Sequence, residues 1–501
     1  MVRKVWSNVL SARYVLRIVS ILAILGFCFH SSALITFERT YGGFDSDQGN
    51  AVQQTQDGGY IIAGSTRSFG AGEYDVYLIK TDSLGDTLWT KTYGGSNWDK
   101  GQSVQQTQDG GYIIGGWTQS FGNGVSDIYL IKTNASGDTV WTKAHGGTSA
   151  DDSYCVRQTS DGGYISVGRT NSYGAGDFDV YLVKTNALGD TMWTKTFGST
   201  YIDWGACVQQ TSDQGYVVVG MNGSLPGGDI YLIKTDSLGD SLWTRTYGGG
   251  DSDRGYFVYE TQDMGYIITG ETSTYGAGGS DVYLIKTDAS GDTIWTHTYG
   301  GSDSEAGLSV QKIQDDGYII AGRSNSFGAG ELDVYLIKTD SVGDTLWTRT
   351  YGGATYDWGY SVQQTQDGGF ILAGHTQSFG AGSDDVYLIK TDQNGMVGIE
   401  EGQDLHLQTE NARLEQSQPN PFHFMTTIRF QIAIPGHICL KIYDASGRII
   451  KTLVDEKREV GAYSVSWHGQ NELGENVSAG VYFYRLEAGK YKQMKKMIVC
   501  R

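Results

Sequence analysis

Short runs of β-branched, aromatic and aliphatic residues, broken by polar turns that carry glycine, make up most of the chain. In one stretch Val52-Gln53-Gln54-Thr55 leads through Asp57-Gly58-Gly59 into Tyr60-Ile61-Ile62-Ala63-Gly64. The loop Ser68-Phe69-Gly70-Ala71-Gly72 follows, then Val76-Tyr77-Leu78-Ile79-Lys80-Thr81, the turn Leu84-Gly85-Asp86 and Leu88-Trp89-Thr90-Lys91-Thr92-Tyr93. Such residues suit a pleated surface, and glycine supplies positive φ in tight turns at no steric cost. The pattern therefore predicts four antiparallel strands.

This unit repeats. The tryptophan after each Gly-Asp-Thr/Ser turn falls at Trp89, Trp141, Trp193, Trp243, Trp295 and Trp347, in steps of 52, 52, 50, 52 and 52. The tyrosine of the third strand falls at Tyr77, Tyr129, Tyr181, Tyr231, Tyr283, Tyr335 and Tyr387, which makes seven copies. The short step arises between Gly220 and Asp229, a loop two residues shorter than its counterpart from Gly64 to Asp75. Four antiparallel strands per period of this length describe a β-propeller blade. The seventh copy runs from Thr391-Asp392 into Gln393-Asn394-Gly395-Met396 and lacks its fourth strand, whereas Ile35 to Gly43 matches Thr87 to Gly95. The expected fold is all-β: a seven-bladed propeller over residues 34–392, in which the N-terminal strand completes the last sheet and leaves no open edge. The repeated tryptophans are expected between blades.

Composition agrees, with 72 glycines, 33 tyrosines and four prolines, and leaves little room for long helices. At the amino terminus Arg3, Lys4, Arg13 and Arg17 precede an apolar run from Ile18 to Phe29, and Ser31-Ser32-Ala33 offers small residues for cleavage. Residues 1–33 are expected to be a signal peptide, because the run is shorter than the roughly 20 residues a membrane span needs. No transmembrane span is then expected in the mature chain. A net charge of −19 argues against a sequence-independent grip on nucleic acid. With Cys28 removed, Cys155, Cys207, Cys439 and Cys500 remain. Cys155 and Cys207 share one column of adjacent repeats; a bridge needs Cα atoms within about 7 Å, so buried free thiols are expected.

After Asp392 the period stops, and residues 393–417 read as a polar linker. Strand-like runs at Thr426–Ala433, His437–Tyr443, Arg448–Leu453, Ala462–Trp467, Gly480–Leu486 and Tyr491–Val499 then predict an Ig-like β-sandwich over residues 418–501. The motifs Gln418-Pro419-Asn420-Pro421-Phe422, Thr426-Thr427-Ile428-Arg429-Phe430, Ile442 to Arg448, Trp467-His468-Gly469, Ser478 to Tyr484 and Lys495-Lys496-Met497 resemble the C-terminal sorting domain of the type IX (Por) secretion system. This resemblance implies that the type IX machinery is a partner and that the protein is extracellular or on the outer-membrane surface of a Gram-negative bacterium. Cys500 stands where that family usually has an aliphatic residue, which leaves a Cys439 to Cys500 bridge conceivable. The repeat, with Tyr-Gly-Gly-x-x-x-Asp, Asp-Gly-Gly-Tyr and Gly-Ala-Gly-x-x-Asp-Val-Tyr-Leu-Ile-Lys-Thr-Asp, is similar to propeller repeats of many secreted bacterial proteins. The Asp82 to Trp89 hairpin is loosely similar to the tryptophan-docking repeat of quinoproteins.

The longer loops, after the second and fourth strands, share one face of the disc and mark the expected working face. Two acidic columns lie there: Asp47, Asp99, Asp151, Asp203, Asp253, Glu305 and Asp357, and Asp75, Asp127, Asp179, Asp229, Asp281, Asp333 and Asp385. Calcium favours several carboxylates, but an acid in every blade is more simply a brace for backbone N–H groups, and no firm cofactor is expected. A ligand site breaks repeat symmetry. The most variable column reads Ser65, Trp117, Arg169, Met221, Glu271, Arg323 and His375, and beside it Trp98, Trp204 and Trp358, with Tyr201 and Tyr356, are placed on loops of the same face. These aromatic and charged residues suit a sugar face or a protein hot spot. No Ser/His/Asp, His-rich metal or phosphate-loop motif is present. The expected function is a secreted or cell-surface binding or adhesion protein that contacts a glycan or protein; the alternatives are a polysaccharide-active enzyme, with Glu271 beside other acids, and a structural surface component.

Overall fold

The computed structural model describes residues 35–223, 227–398, 412–414, 417–432, 435–444, 448–488 and 491–500. The expected signal segment 1–33, with Cys28, lies outside the described residues. The chain divides into two compact units, Met1–Glu401 and Gly402–Arg501.

The first unit holds seven four-stranded antiparallel sheets, the blades of a propeller. In the first blade Asp47–Gln54 is innermost, followed outward by Tyr60–Thr66, Asp75–Thr81 and Thr87–Tyr93. The middle two strands are buried at every residue, because both faces of each sheet meet a neighbouring blade, which is why their apolar residues are consecutive. The outermost strand is largely exposed and its sequence alternates.

The seventh sheet consists of Asp357–Gln364, Phe370–Thr376 and Asp385–Thr391, with Phe37–Tyr41 as its outermost strand. The register runs from Phe37 opposite Lys390 to Tyr41 opposite Val386. The ring is therefore closed by backbone hydrogen bonds between the two ends of the repeat array.

One contact recurs at the blade interfaces. Trp89 packs edge to face on Tyr112 of the next blade, ring centroids 6.1 Å apart, and covers Gly137. A Cβ on Gly137 would lie 2.8 Å from the indole, and its φ of 77° also favours glycine. Tyr93 donates its hydroxyl to the Gly137 carbonyl at 2.5 Å. Phe37, Tyr60, Gly85 and Tyr41 repeat this arrangement at the closing seam, where Tyr41 donates to the Gly85 carbonyl at 2.6 Å.

Each third strand carries a lysine in the same place, buried in six blades and partly buried at Lys338. Lys80 donates to the Thr81 carbonyl at 2.8 Å and to Asp57 at 3.1 Å, tying the Asp-Gly-Gly turn to the sheet. The pairs Lys132–Asp109, Lys184–Asp161, Lys234–Asp213, Lys286–Asp263, Lys338–Asp315 and Lys390–Asp367 do the same in the other blades. Burying an ammonium is tolerable here because its donors are all met.

Two features differ from the sequence reading. The innermost strand begins at Asp47 rather than Val52, because Asp47-Gln48-Gly49-Asn50 looks like a turn but lies in the sheet. Gly49 serves close packing: a Cβ there would lie 2.8 Å from Val386 and 2.9 Å from the Gly374 carbonyl of the neighbouring blade. Residues 393–398, taken above as the start of the linker, also continue the last blade. Gly395 lies under Trp347 and accepts the Tyr351 hydroxyl at 2.7 Å, and the Gly398 amide donates to Thr36 at 2.7 Å.

The second unit is a two-sheet sandwich. Ala412–Leu414, Thr426–Ile432 and Gly461–Trp467 form one sheet. Ile449–Arg458, Gly436–Asp444, Gly480–Ala488 and Tyr491–Val499 form the other, in that order. Trp467, 1% exposed, centres the core, with Phe422 and Tyr482 each at 5.6 Å between ring centroids. Cys439 and Cys500 are free thiols.

Candidate functional site: the axial cavity

Every innermost strand is interrupted by a β-bulge at the same place: between Gly49 and Ala51, Gly101 and Ser103, Ser153 and Cys155, Gly205 and Cys207, Gly255 and Phe257, Gly307 and Ser309, and Gly359 and Ser361. A bulge inserts one residue that has no partner across the ladder and re-aims its side chain. The seven inserted residues are Asn50, Gln102, Tyr154, Ala206, Tyr256, Leu308 and Tyr360. All seven line one cavity of about 410 Å³ that is bounded by the innermost strands. Tyr154, Tyr256 and Tyr360 contribute aromatic surface, and Asn50, Gln102, Ser103, Ser309 and Ser361 contribute amides and hydroxyls. The sequence reading missed this column because it placed these residues before the strand. The signal was available: seven equivalent positions carry five residue types in a repeat that is otherwise nearly uniform.

Arg157, deeper in the same wall, replaces the glutamine found at Gln53, Gln105, Gln209, Gln311 and Gln363. Its guanidinium donates to Ser103 Oγ at 3.1 Å and to the Val156 carbonyl at 2.8 Å.

Of the variable column anticipated from the sequence, Arg169 lines this cavity, and Glu271 and Arg323 are engaged with each other. Arg169 pairs with Asp152 at 2.9 Å and lies over Phe178 and Tyr154, 4.3 and 5.8 Å from their ring centroids. Trp204 stands between Tyr154 and Tyr256, at 6.2 and 5.9 Å between centroids. Tyr256 donates to Glu271 at 3.0 Å. Glu271, 6% exposed, also pairs with Arg254 at 2.9 Å and Arg323 at 3.7 Å. Arg323 lies 4.1 Å from the Trp358 ring centroid, and Trp358 stacks on His375 with centroids 5.6 Å apart. A continuous chain of contacts thus runs from Trp204 through Tyr256, Glu271, Arg323 and Trp358 to His375. Of the predicted residues, Arg169 and Trp204 line the cavity itself.

Three placements need correction. Trp204 and Trp358 lie in innermost strands, partly covered by stacked rings, and not on loops. Trp98 does precede a strand and is 40% exposed, but it belongs to a separate cluster with Tyr74, at 5.0 Å, and Lys100; Trp117 pairs with Lys100 in the ladder. Finally, Glu271, expected beside other acids, is engaged by two arginines and a tyrosine. Burial lowers the proton affinity of His375, whose Nδ1 has no hydrogen-bond partner.

The acidic columns fasten loops. Asp47 accepts from Gly43 and Ser68, both at 2.7 Å; Asp99 from Gly95 at 2.8 Å and Ser120 at 2.6 Å; Asp151 from Gly147 at 2.7 Å and Ser172 at 2.6 Å. Asp203 accepts from Ser199 and Gly223, Asp253 from Gly249 and Thr274, and Asp357 from Gly353 and Ser378. In the remaining blade Glu305 accepts from Gly301 and Ser324, so each acid of this column braces a loop. The second column meets the first across each interface: a Cβ on Gly94 would lie 2.0 Å from Asp75 and 2.6 Å from Asp99. Burial, with the Asp99 charge added, raises the carboxyl pKa of Asp75.

Residues 427–491 match the FlgD Ig-like domain family. The carboxyl-terminal unit is Ig-like. Over 131 residues the chain is 27% identical to the regulatory protein FlaEY of Caulobacter vibrioides, a match that covers 24% of this chain and 13% of FlaEY. Among solved structures, PorZ, a surface component of the type-IX secretion system of Porphyromonas gingivalis, has a TM-score of 0.41 at 11% identity; the alignment covers 92% of this chain and 60% of PorZ. A fungal alcohol oxidase gives 0.43 at 10% identity, over 93% of this chain and 99% of the oxidase. Among the described residues, no helix is long and apolar enough to cross a membrane.

Proposed function

We propose that the chain is an exported, surface-displayed binding protein that takes a glycan at the axial cavity of its propeller, with export through the type IX (Por) secretion system. The observation that carries the binding reading is the ring of bulged residues, in which Tyr154, Tyr256 and Tyr360, with Trp204 beside them, face a recess also lined by amides and hydroxyls. Aromatic faces stack on sugar rings, and the polar groups between them suit sugar hydroxyls. The recess is small and concave, whereas a stable protein partner needs a surface of about 800 Å² per side. The export reading rests on the sorting-domain motifs from Gln418 to Met497, carried by an Ig-like unit.

A glycan array followed by titration calorimetry on the full chain tests the first reading. Trp204→Ala and Tyr256→Ala each lower affinity for the selected glycan by roughly tenfold, the worth of one stacked ring. Absence of any glycan ligand, or capture of a protein whose binding ignores both substitutions, overturns it. Deletion of residues 402–501 in a host that carries the type IX system tests export: the truncated protein should stay in the periplasm.

A further inference from the structure

The innermost strands of the third and fourth blades bring two thiols together. Cys155 and Cys207 occupy the same column, which reads Ala51, Ser103, Cys155, Cys207, Phe257, Ser309 and Ser361 around the ring. Their sulfurs lie 3.9 Å apart, both residues line the axial cavity, and both are free. They belong to separate sheets, so no backbone ladder fixes the distance between them. Elsewhere in this column serine links neighbouring blades: Ser361 accepts from the Val52 amide, Ser103 from Val156 and Ser309 from Val362, each at 3.3 Å. The cysteines stand where the ring joins blade to blade, in the wall of the cavity and 4% and 2% exposed.

We propose that Cys155 and Cys207 are an oxidation site at which a peroxide converts the thiol pair into a disulfide that staples the third blade to the fourth. The Cys155 thiolate attacks one peroxide oxygen, the O–O bond breaks, and hydroxide leaves to become water. The resulting Cys155 sulfenic acid is attacked by the sulfur of Cys207, whose proton passes to the departing hydroxide as a second water. Two thiols and one hydrogen peroxide thus give one disulfide and two waters. The order follows from the surroundings. Contact with the Cys207 thiol, acting against burial and joined by the Arg157 charge, holds Cys155 below the ordinary thiol range. The contact with Cys155 and burial push Cys207 up. The guanidinium of Arg157 rests on Ser103, the neighbour of Cys155 in the column on the side away from Cys207, and this placement assigns Cys155 as the attacking thiol and Cys207 as the resolving one. A disulfide requires the sulfurs to close to about 2.05 Å, a movement shared by two side chains and two strands that share no ladder.

The full chain, reduced and then treated with hydrogen peroxide, is denatured in a thiol-blocking reagent and mapped without reduction by mass spectrometry. The expected product is a linked peptide pair holding Cys155 and Cys207, with a Tm raised by a few degrees and restored by dithiothreitol. In Cys207→Ser the link and the Tm rise are lost, and a sulfenic-acid trap labels Cys155. Serine already fills this column in three other blades, so this variant is expected to fold, and its unoxidised Tm checks that. Recovery of both thiols in blocked form after peroxide, a link from either one to Cys439 or Cys500 instead, or a sulfenic-acid label on Cys207 in Cys155→Ser as strong as that on Cys155 would each overturn the proposal.

Discussion

Phe37 and Tyr60 meet edge to face, ring centroids 6.1 Å apart, where the first strand of the array lies over the blade that follows it. The same geometry joins Trp89 to Tyr112, Trp141 to Tyr164, Trp193 to Tyr216, Trp243 to Tyr266 and Trp295 to Tyr318. The closing seam is thus packed like the others, with phenylalanine in place of tryptophan.

Phe37→Ala should therefore weaken the whole propeller and not merely fray its end. Phe37 is 6% exposed, and truncating a buried phenylalanine costs about 3 kcal/mol. A fall in Tm of roughly 4 °C is expected in thermal melting of a unit this large. Removing residues 34–43 altogether should cost more, because an edge of Asp385–Thr391 is then left unpaired.

Gly395→Ala tests whether the last blade extends past Asp392. Its φ is 71°, and an added Cβ would lie 2.8 Å from Trp347. Gly58, with φ of 82°, has nothing within 4 Å of such a Cβ. Gly395→Ala should cost about 2 to 3 kcal/mol and Gly58→Ala about 1, measured by denaturant unfolding of the propeller. Equal losses would mean that Trp347 does not rest on that glycine.

Glu271→Gln should destabilise by about 1 kcal/mol, since it removes the counter-charge that Arg323 and the 45% exposed Arg254 share, and solvent screens the latter. A double-mutant cycle with Arg254→Ala should show a coupling energy of about 0.5 to 1 kcal/mol. Additive losses would show that the ion pair contributes nothing.

The pH response has two parts of known sign. His375 is held below the ordinary histidine value of 6.5, chiefly by burial, so below that pH the unfolded chain takes up a proton that the folded protein refuses. Its stabilising effect is complete above 6.5 and declines as the pH falls. Between pH 7 and about 5, wild type should lose more Tm than His375→Phe, which keeps a ring against Trp358.

The second part lies at lower pH. Burial alone would raise Asp109, Asp161 and Asp263, but hydrogen bonds from a threonine, a lysine and a turn amide outweigh it and hold each carboxyl at about 2. The stability they supply is present above 3.8 and is lost as the pH falls toward 2. Replacing all three with asparagine should flatten the Tm profile in that window.

The amino-acid sequence by itself determined the number of blades, their strands and the way the ring closes. Each of these follows from local pattern repeated at a fixed spacing: apolar runs for strands, glycine for turns, and the missing fourth strand after Thr391 supplied by Phe37–Tyr41. Two stretches misled the reading, and for one reason. Gly49 and Gly395 look like ordinary turn signals, yet the first makes room for a neighbouring blade and the second for Trp347, facts that exist only once blades are packed. The site was legible only in part. The variable column from Ser65 to His375 announced a break in symmetry, but whether a side chain faces the cavity or a neighbour depends on a bulge, and a bulge is a property of two paired strands. Arg323 on Trp358 and Cys155 beside Cys207 join residues one blade apart or nearly so. Tertiary structure alone decided those contacts, because closing the disc turns distance along the chain into adjacency around an axis.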